Sequence, residues 1–356
     1  MTARADAALL AAEEMILLQP NESSSRPVTR ATTEVSASSG FDACPSSWFY
    51  LGSMAELARG PVSYELPAGR KFVGYLTAEG RPAVLAARCA HMGSDLSKGC
   101  VRGDRLVCPL HGWEYGPEGQ CRRMPAADGP IPAFARQAAY PVEERGGHVF
   151  FFSEAHPRFP LPFFPGLEPG QLRSTRAFDF WDEVPWYFIA ANGFDLQHFR
   201  SAHDRTLLGA PAVDQPHPFA RRIRLRFEVA GHSPADRVTR AFAGPKVTMT
   251  LTSWCGTLIF VTAEFKRTTS YGLMTVRPLD QGRTHARVIV WVRRSDSLLG
   301  QKVVDPVNAW LRRWFVHRFL SADIGRMAGM RYDPNRVVGA DSFFSEYIDW
   351  LRPIHR

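Results

Sequence analysis

The chain has 356 residues, 45% of them hydrophobic and 22% charged, with a formal net charge of +8. That is material for about two globular domains with ordinary cores, and it excludes a collagenous, wholly disordered or disulfide-framework chain. The basic excess is compatible with nucleic acid, an anionic surface or an acidic protein partner, but arginines occur only in pairs such as Arg221-Arg222, Arg293-Arg294 and Arg312-Arg313, and no nucleic-acid-binding signature is present, so no nucleic-acid partner is expected.

Residues 1–40 read as a disordered tail, rich in Ser and Thr after a short helical stretch at Ala7–Leu18. Glu13 and Glu14 interrupt that stretch, so neither a signal peptide nor a membrane span is expected. The six cysteines are Cys44, Cys89, Cys100, Cys108, Cys121 and Cys255. In a long, Cys-poor chain they fit metal-bound or free thiols in a reducing cytoplasm better than disulfides.

Residues 41–156 read as a small all-β domain. Phe72–Leu76 and Ala83–Ala86 are strand-like runs split by Gly80-Arg81-Pro82, and His148–Phe152 follows the Gly146-Gly147 turn. The Pro-rich segment Pro157–Pro169 predicts a linker. Residues 157–356 form a second, mixed domain. A helix is expected near Ala190–Ala202. Strands are expected at Ile223–Val229, Val247–Ser253, Leu258–Phe265, Gly272–Val276 and Arg287–Val292. Apolar residues at helical spacing (Trp310, Phe315, Phe319, Ile324, Met327) predict helix between Pro306 and Met330, and Asp341–Leu351 predicts a last one. Strands framed by helices give an α+β class with a central antiparallel sheet.

Two loops carry the strongest chemical signal: Cys89-Ala90-His91 and, sixteen residues on, Cys108-Pro109-Leu110-His111. Each offers one thiolate and one imidazole, which suits a cluster whose one iron takes two Cys and whose other takes two His. A zinc site usually pairs Cys with Cys and His with His along the chain, and this pattern mixes them. A second signal is Asn192-Gly193-Phe194-Asp195-Leu196-Gln197-His198, with His203 five residues further. Two His and a carboxylate with open positions define non-heme Fe(II) oxygen chemistry. Asp195 and His198 would share a helix face, whereas His203 needs a bend or a helix end to join His198.

The stretches Cys89–Ser97 and Cys108–Trp113 resemble the Rieske-type non-heme iron oxygenases, and the resemblance runs from Trp48 to Leu351. His91-Met92-Gly93 with Leu96-Ser97 is similar to the ketosteroid hydroxylase and cholesterol desaturase branch and to natural-product tailoring oxygenases. Departures are Ala90, where many members have Pro, Met92, where many have a basic residue, and Ala322, where many have Glu. The resemblance implies an α+β fold: an all-β Rieske [2Fe–2S] domain followed by a helix-grip-type catalytic domain. It implies that Cys89, His91, Cys108 and His111 bind the [2Fe–2S] cluster and that His198, His203 and Asp323 bind a mononuclear Fe(II). Asp333 and Asp341 are weaker candidates, Asp333 before Pro334 reading as a turn. Asp195 would be a bridging carboxylate reaching a Rieske His, His111 by position, of a neighbouring subunit, and Asn192 would stand near the iron.

The implied activity is that of a terminal oxygenase. It would use O₂ and electrons from an external NAD(P)H-dependent reductase or ferredoxin, since no flavin or nicotinamide motif is present. The implied reaction is hydroxylation of a hydrophobic small molecule, polycyclic ones included. Desaturation, oxidative cyclisation and oxidative demethylation are the alternatives, with an electron-transfer Rieske protein lacking oxygenase activity a distant one. A head-to-tail homotrimer is also implied. Trp254, Leu258, Phe260, Thr262, Met274 and Trp291 are candidate lining residues for an apolar pocket.

Overall fold

The computed structural model describes residue 41, residues 44–126 and residues 129–355. The expected tail over residues 1–40, with its Ala7–Leu18 stretch, lies outside the described residues.

The first part is built from three small antiparallel sheets. One orders Trp48–Ser53, His148–Phe152 and Val142–Arg145; the second orders Val62–Leu66, Arg70–Leu76, Pro82–Ala86 and Ala139–Tyr140; the third orders Cys100–Arg102, Arg105–Val107, Glu114–Tyr115 and Cys121–Arg123. Period-2 alternation divides the second sheet cleanly. Val73, Tyr75, Ala83 and Leu85 pack toward Cys89, Cys108, Trp113 and Tyr115. Phe72 and Val84 face the other way, onto Phe49, Val149 and Phe151. Gly74 sits between these layers because the Leu51 side chain occupies the place of a Cβ, 2.2 Å away.

The second part is a nine-stranded antiparallel sheet. Its main path runs Leu172–Ser174, Thr284–Arg293, Thr269–Pro278, Leu258–Phe265, Lys246–Trp254, Ala220–Val229 and Arg205–Leu207. Phe178–Asp182 pairs with Thr284–Arg293, and Ala212–His217 with Ala220–Val229. Every expected strand is present; Leu258–Phe265 has the expected bounds, and the other four are longer than the apolar runs that announced them, because pairing extends past the apolar core positions. The four flanking strands that the sequence reading passed over are short or polar.

Both faces of this sheet are covered. One packs Ile223, Leu225, Phe227, Leu251, Ile259 and Val276 against the helices Trp186–Ala191, Leu196–Ser201 and Ser342–Leu351. The other packs Leu258, Phe260, Leu273, Ile289 and Trp291 against Trp48, Tyr50, Phe150 and Phe152 of the first part. The Pro-rich segment expected to be a linker has no regular structure before the 3-10 turn that Pro169 opens, yet Phe159, Leu161 and Phe164 are buried in that same core. The segment is therefore held by apolar burial and does not behave as a free tether.

Three helical expectations are corrected. The Ala190–Ala202 helix breaks into Trp186–Ala191, a 3-10 turn at Asn192–Phe194 and Leu196–Ser201, because Asp195 leaves helical geometry (φ −84°, ψ 104°) to cap the second helix. The Pro306–Met330 helix runs Asp305–Leu320 and stops there. Residues 321–330 are turns with Gly325 and Gly329 at positive φ. The last helix starts at Ser342, with Asp341 closing the 3-10 turn before it. A helix at Pro234–Phe242, capped by Ser233, was not anticipated.

Candidate metal centres and active site

The two Cys-His loops have matching backbone geometry. The Gly93 N–H donates to the Cys89 carbonyl and the Gly112 N–H to the Cys108 carbonyl, while Cys89 and Cys108 N–H groups donate to the Ser94 and Trp113 carbonyls. Gly93 and Gly112 both take φ near +70°, at 74° and 69°, which closes each loop. Behind the loops, Gly99 packs flat on the strand that leads to Cys108; a Cβ there would lie 2.0 Å from the Val107 carbonyl oxygen.

This framework buries the two thiols and exposes the two imidazoles. The His91 and His111 ring centroids are 4.7 Å apart, and His91 stacks on Trp113 at 4.5 Å and 4°. Burial raises the Cys89 thiol above its ordinary range. The Tyr115 hydroxyl, 3.1 Å from Cys89 Sγ, acts against that rise, and the neighbouring Cys108 thiol adds to it. Such thiols are stable as thiolates only with a cation beside them. Two buried sulfurs and two paired outer imidazoles are the donor set a [2Fe–2S] cluster of this type needs.

Beneath the loops lies Glu114, whose carboxylate is 2% exposed and is met by Arg102, Arg105 and Arg123 at 2.8–2.9 Å. Burial acts to raise its pKa. The hydrogen bonds of Arg123 and Arg105 and the charges of Arg102 and Arg123 outweigh it and hold the carboxyl below its usual range. This hub ties together all four strands of the sheet, with Arg102, Arg105, Glu114 and Arg123 each on a different one.

The second constellation assembles at the end of a short helix. The Asp195 carboxylate caps Leu196–Ser201 by accepting from the Gln197 and His198 N–H groups. The His198 ring is held by the Asp195 backbone carbonyl, which accepts from His198 Nδ1 at 2.6 Å. That contact leaves Nε2 as the free lone pair. Asn192 Nδ2 stands 3.5 Å from it.

The helix stops at Ser201, and His203 turns back toward His198, with ring centroids 5.2 Å apart. This is the helix end that the five-residue spacing demanded. Asp323, in the turns that follow the Asp305–Leu320 helix, completes the group: ligand atoms of His198, His203 and Asp323 all lie within 4.8 Å of one another. His203 Nε2 is buried 3.0 Å from Asp323 Oδ1 but lacks hydrogen-bond geometry there or elsewhere. A buried nitrogen so placed is a donor awaiting an acceptor of electron pairs, and a divalent iron among the three residues would satisfy it. Burial lowers the pKa of His198, with the nearby Asp323 charge opposing, so its neutral ligating form is favoured.

Phe319, one turn before Asp323, stacks on His203 at 3.7 Å and 10°. The Arg205 guanidinium lies 5.8 Å from that ring. Tyr115 and Glu114 were not singled out from the sequence, and Phe319 and Trp113 entered only as a helical apolar position and as the end of the Cys108–Trp113 stretch. Their signal was proximity in sequence to the ligands, which does not separate a packing partner from a bystander. Asp333 caps its own turn and Asp341 accepts from Gln197, so neither joins the metal group.

Of the candidate lining residues, only Met274 packs on the face that carries this site. Trp254, Leu258, Phe260 and Trp291 belong to the opposite core, and Thr262 alternates with the site-facing Val261 and Ala263. In their place Leu207, Met249, Val261, Ala263, Phe319 and Phe344 are half-buried there.

Residues 47–141 match the model of the Rieske [2Fe-2S] domain. This part of the chain is a Rieske domain. Among curated proteins, the chain is 33% identical over 171 residues to the 3-ketosteroid-9-alpha-monooxygenase oxygenase component of Mycolicibacterium smegmatis, covering 44% of this chain and 42% of that one. It is 30% identical over 151 residues to the methylxanthine N1-demethylase NdmA of Pseudomonas putida, covering 42% and 43%. The chain thus matches less than half the length of these relatives. Likeness in fold extends over most of the chain. NdmA of Pseudomonas putida CBB5 with caffeine superposes with TM-score 0.68 over 86% of this chain and 90% of its own, at 22% identity. Dicamba monooxygenase bound to dicamba gives 0.67 over 87% and 98%, at 16% identity. Beside its Rieske domain, the chain shares the α+β fold of these solved structures.

Proposed function

We propose that this chain is the terminal oxygenase component of a multi-component system that hydroxylates a hydrophobic small molecule, residues 41–156 receiving electrons and residues 157–356 performing the chemistry. The observation that carries the reading is the His198, His203 and Asp323 group, with donor atoms converging within 4.8 Å at the edge of an apolar, half-buried sheet face. A Rieske protein that only carries electrons has no use for it.

Cys89 and Cys108 would hold the inner iron of the cluster, and His91 and His111 the outer one, where exposure lets electrons enter from a reductase or ferredoxin. Three protein ligands would leave an Fe(II) open positions for O₂, and that is the oxidising chemistry the metal supplies. The chain's own residues do the rest. Asp195 fixes the His198 ring through its carbonyl, and Phe319 fixes His203 through stacking. The apolar side chains of the sheet exclude water and accept a hydrophobic substrate. Asp195 keeps carboxylate oxygen capacity beyond its capping bonds, which fits a bridge to His111 of a neighbouring subunit in a head-to-tail homotrimer. None of the six cysteines forms a disulfide, in keeping with a reducing cytoplasm.

Oxidative demethylation is the second reading, favoured by the likeness to NdmA in both sequence and fold. The two part in one assay: purified chain, a surrogate NADH-linked reductase, ¹⁸O₂ and candidate substrates, read by mass spectrometry. A product carrying one labelled oxygen supports hydroxylation, and formaldehyde with a demethylated product supports demethylation. A product lighter by two hydrogens and unlabelled moves the reaction to desaturation or cyclisation. Reduction and reoxidation of the cluster with no organic product under any condition would contradict the oxygenase reading.

A further inference from the structure

The Asp305–Leu320 helix and the turn before it display an apolar face that is exposed among the described residues. Leu299, Val303, Val307, Trp310 and Trp314 recur at helical spacing on one side, with Leu298, Val304 and Leu311 beside them. All eight are between 40% and 75% exposed. The opposite side of the same helix is what packs inward, through Asp305, Ala309, Val316 and Leu320. Single exposed apolar residues are ordinary in a folded protein, but eight in one contiguous stripe mark a binding surface.

The charges around the stripe identify its occupant. From Arg293 to Leu320 the exposed cations are Arg293, Arg294, Lys302 and Arg318, of which Arg294 bonds the Leu172 carbonyl, while Arg312 turns onto Thr268 and Ser270 and Arg313 bonds the Arg176 carbonyl; the acids are Asp296 and Asp305. Asp305 is buried and hydrogen-bonded to Ser295, so Asp296 is the one exposed acid of the segment. Two copies of this face set against each other would oppose cation to cation. An anionic lipid surface meets both features: the apolar stripe enters the headgroup boundary and the cations meet the phosphates. Two adjacent tryptophans are the residue type that favours that boundary. No helix among the described residues is long and apolar enough to cross a membrane, so the contact is peripheral.

We propose that the Leu298–Trp314 face docks the protein on anionic membrane surfaces. The docked helix ends three residues before Asp323, so the surface delivers hydrophobic molecules dissolved in lipid next to the metal site. The docking itself does not depend on which reaction the site performs.

The test is co-sedimentation of the metal-loaded full chain with vesicles of phosphatidylcholine alone or mixed equally with phosphatidylglycerol. The chain is expected to pellet with the mixed vesicles and to be released in part by salt. Val303→Glu with Val307→Glu, both already solvent-facing, should weaken that partitioning at least about tenfold while the cluster absorbance and melting temperature stay those of the parent. Lys302→Glu with Arg318→Glu should weaken it and flatten its salt dependence. A parent chain that stays in the supernatant with both vesicle types overturns the proposal. So does an oligomer, seen by analytical ultracentrifugation, that the Val303/Val307 variant breaks into monomers without the parent having bound vesicles; the face is then a subunit contact.

Discussion

Replacing His148 by Gln should make the protein less sensitive to acid. His148 opens the His148–Phe152 strand, is 3% exposed, and sits where the Rieske part meets the large sheet. Its Nδ1 is 3.1 Å from the Tyr50 hydroxyl, its ring meets Trp291 edge-on at 5.5 Å, and its Nε2 has no partner. Burial pushes its pKa down to about 4, with the Glu56 charge opposing and Arg287 adding to the fall. A histidine with a depressed folded pKa stabilises the neutral-pH fold relative to acid, because between the folded and unfolded pKa values the unfolded chain binds a proton that the folded chain refuses. With an unfolded value near 6.5, the stability lost between pH 7 and pH 5 is about 2 kcal/mol from this residue. Gln keeps an acceptor for the Tyr50 hydroxyl but cannot titrate. Melting both proteins at pH 7 and pH 5 cancels the groups they share, such as His355. The parent should lose a few degrees more than the variant, since about 1 kcal/mol corresponds to roughly 2 °C or less in a chain of this size. Equal losses would show that His148 does not stay neutral in the fold, and the packing argument for this junction would fail.

The remaining predictions address the two metal sites. His198→Ala should abolish turnover while leaving the visible spectrum of the cluster intact; loss of the cluster would mean that the division of labour between the two parts is wrong. Asp195→Asn should retain both metals, because Asn caps a helix as well as Asp and the carbonyl that holds His198 is unchanged. It should slow cluster reoxidation by substrate and O₂ by at least about tenfold in stopped flow, a bound set by loss of one charged hydrogen bond. Rapid reoxidation there would sink the bridging role. Glu114→Gln should leave Arg102, Arg105 and Arg123 clustered without a counter-charge and cost about 2 kcal/mol, less than for a wholly buried network because those arginines are half exposed. In the parent, the Glu114 contribution is present at neutral pH and lost as acid titrates its depressed folded pKa, so the difference between parent and variant in melting temperature should shrink toward low pH.

The two Cys-His loops were legible because their side chains lie close together in sequence: Cys89, His91, Cys108 and His111 announce themselves by type and spacing. The strands were legible from runs of apolar residues. Which face of the sheet met which partner was not. Leu258, Phe260 and Trp291 alternate as regularly as Ile259, Val261 and Met274, and when both faces of a strand are buried, period two says which residues travel together but not toward what. Asp323 could not be reached by spacing at all, since more than a hundred residues separate it from His203, and it entered by resemblance. The Asp305–Leu320 helix shows the converse error. Trp310 carries the periodicity of a core helix, yet it is half exposed, because this helix is apolar on the side away from the sheet as well as on the side the sheet covers. The break at Asp195 was written in its residue type, a good cap in mid-helix, and was masked by the apolar residues on either side.

The most direct test of two separate iron sites in one chain is metal analysis of anaerobically purified protein alongside its His203→Ala variant, with the electron paramagnetic resonance of the reduced cluster recorded for both. The parent should hold about three irons and two acid-labile sulfides per chain, and the variant about two irons with an unchanged cluster signal. A parent with zinc in place of iron, or a variant that keeps its third iron, would contradict the assignment of Cys89, His91, Cys108 and His111 to one site and of His198, His203 and Asp323 to the other.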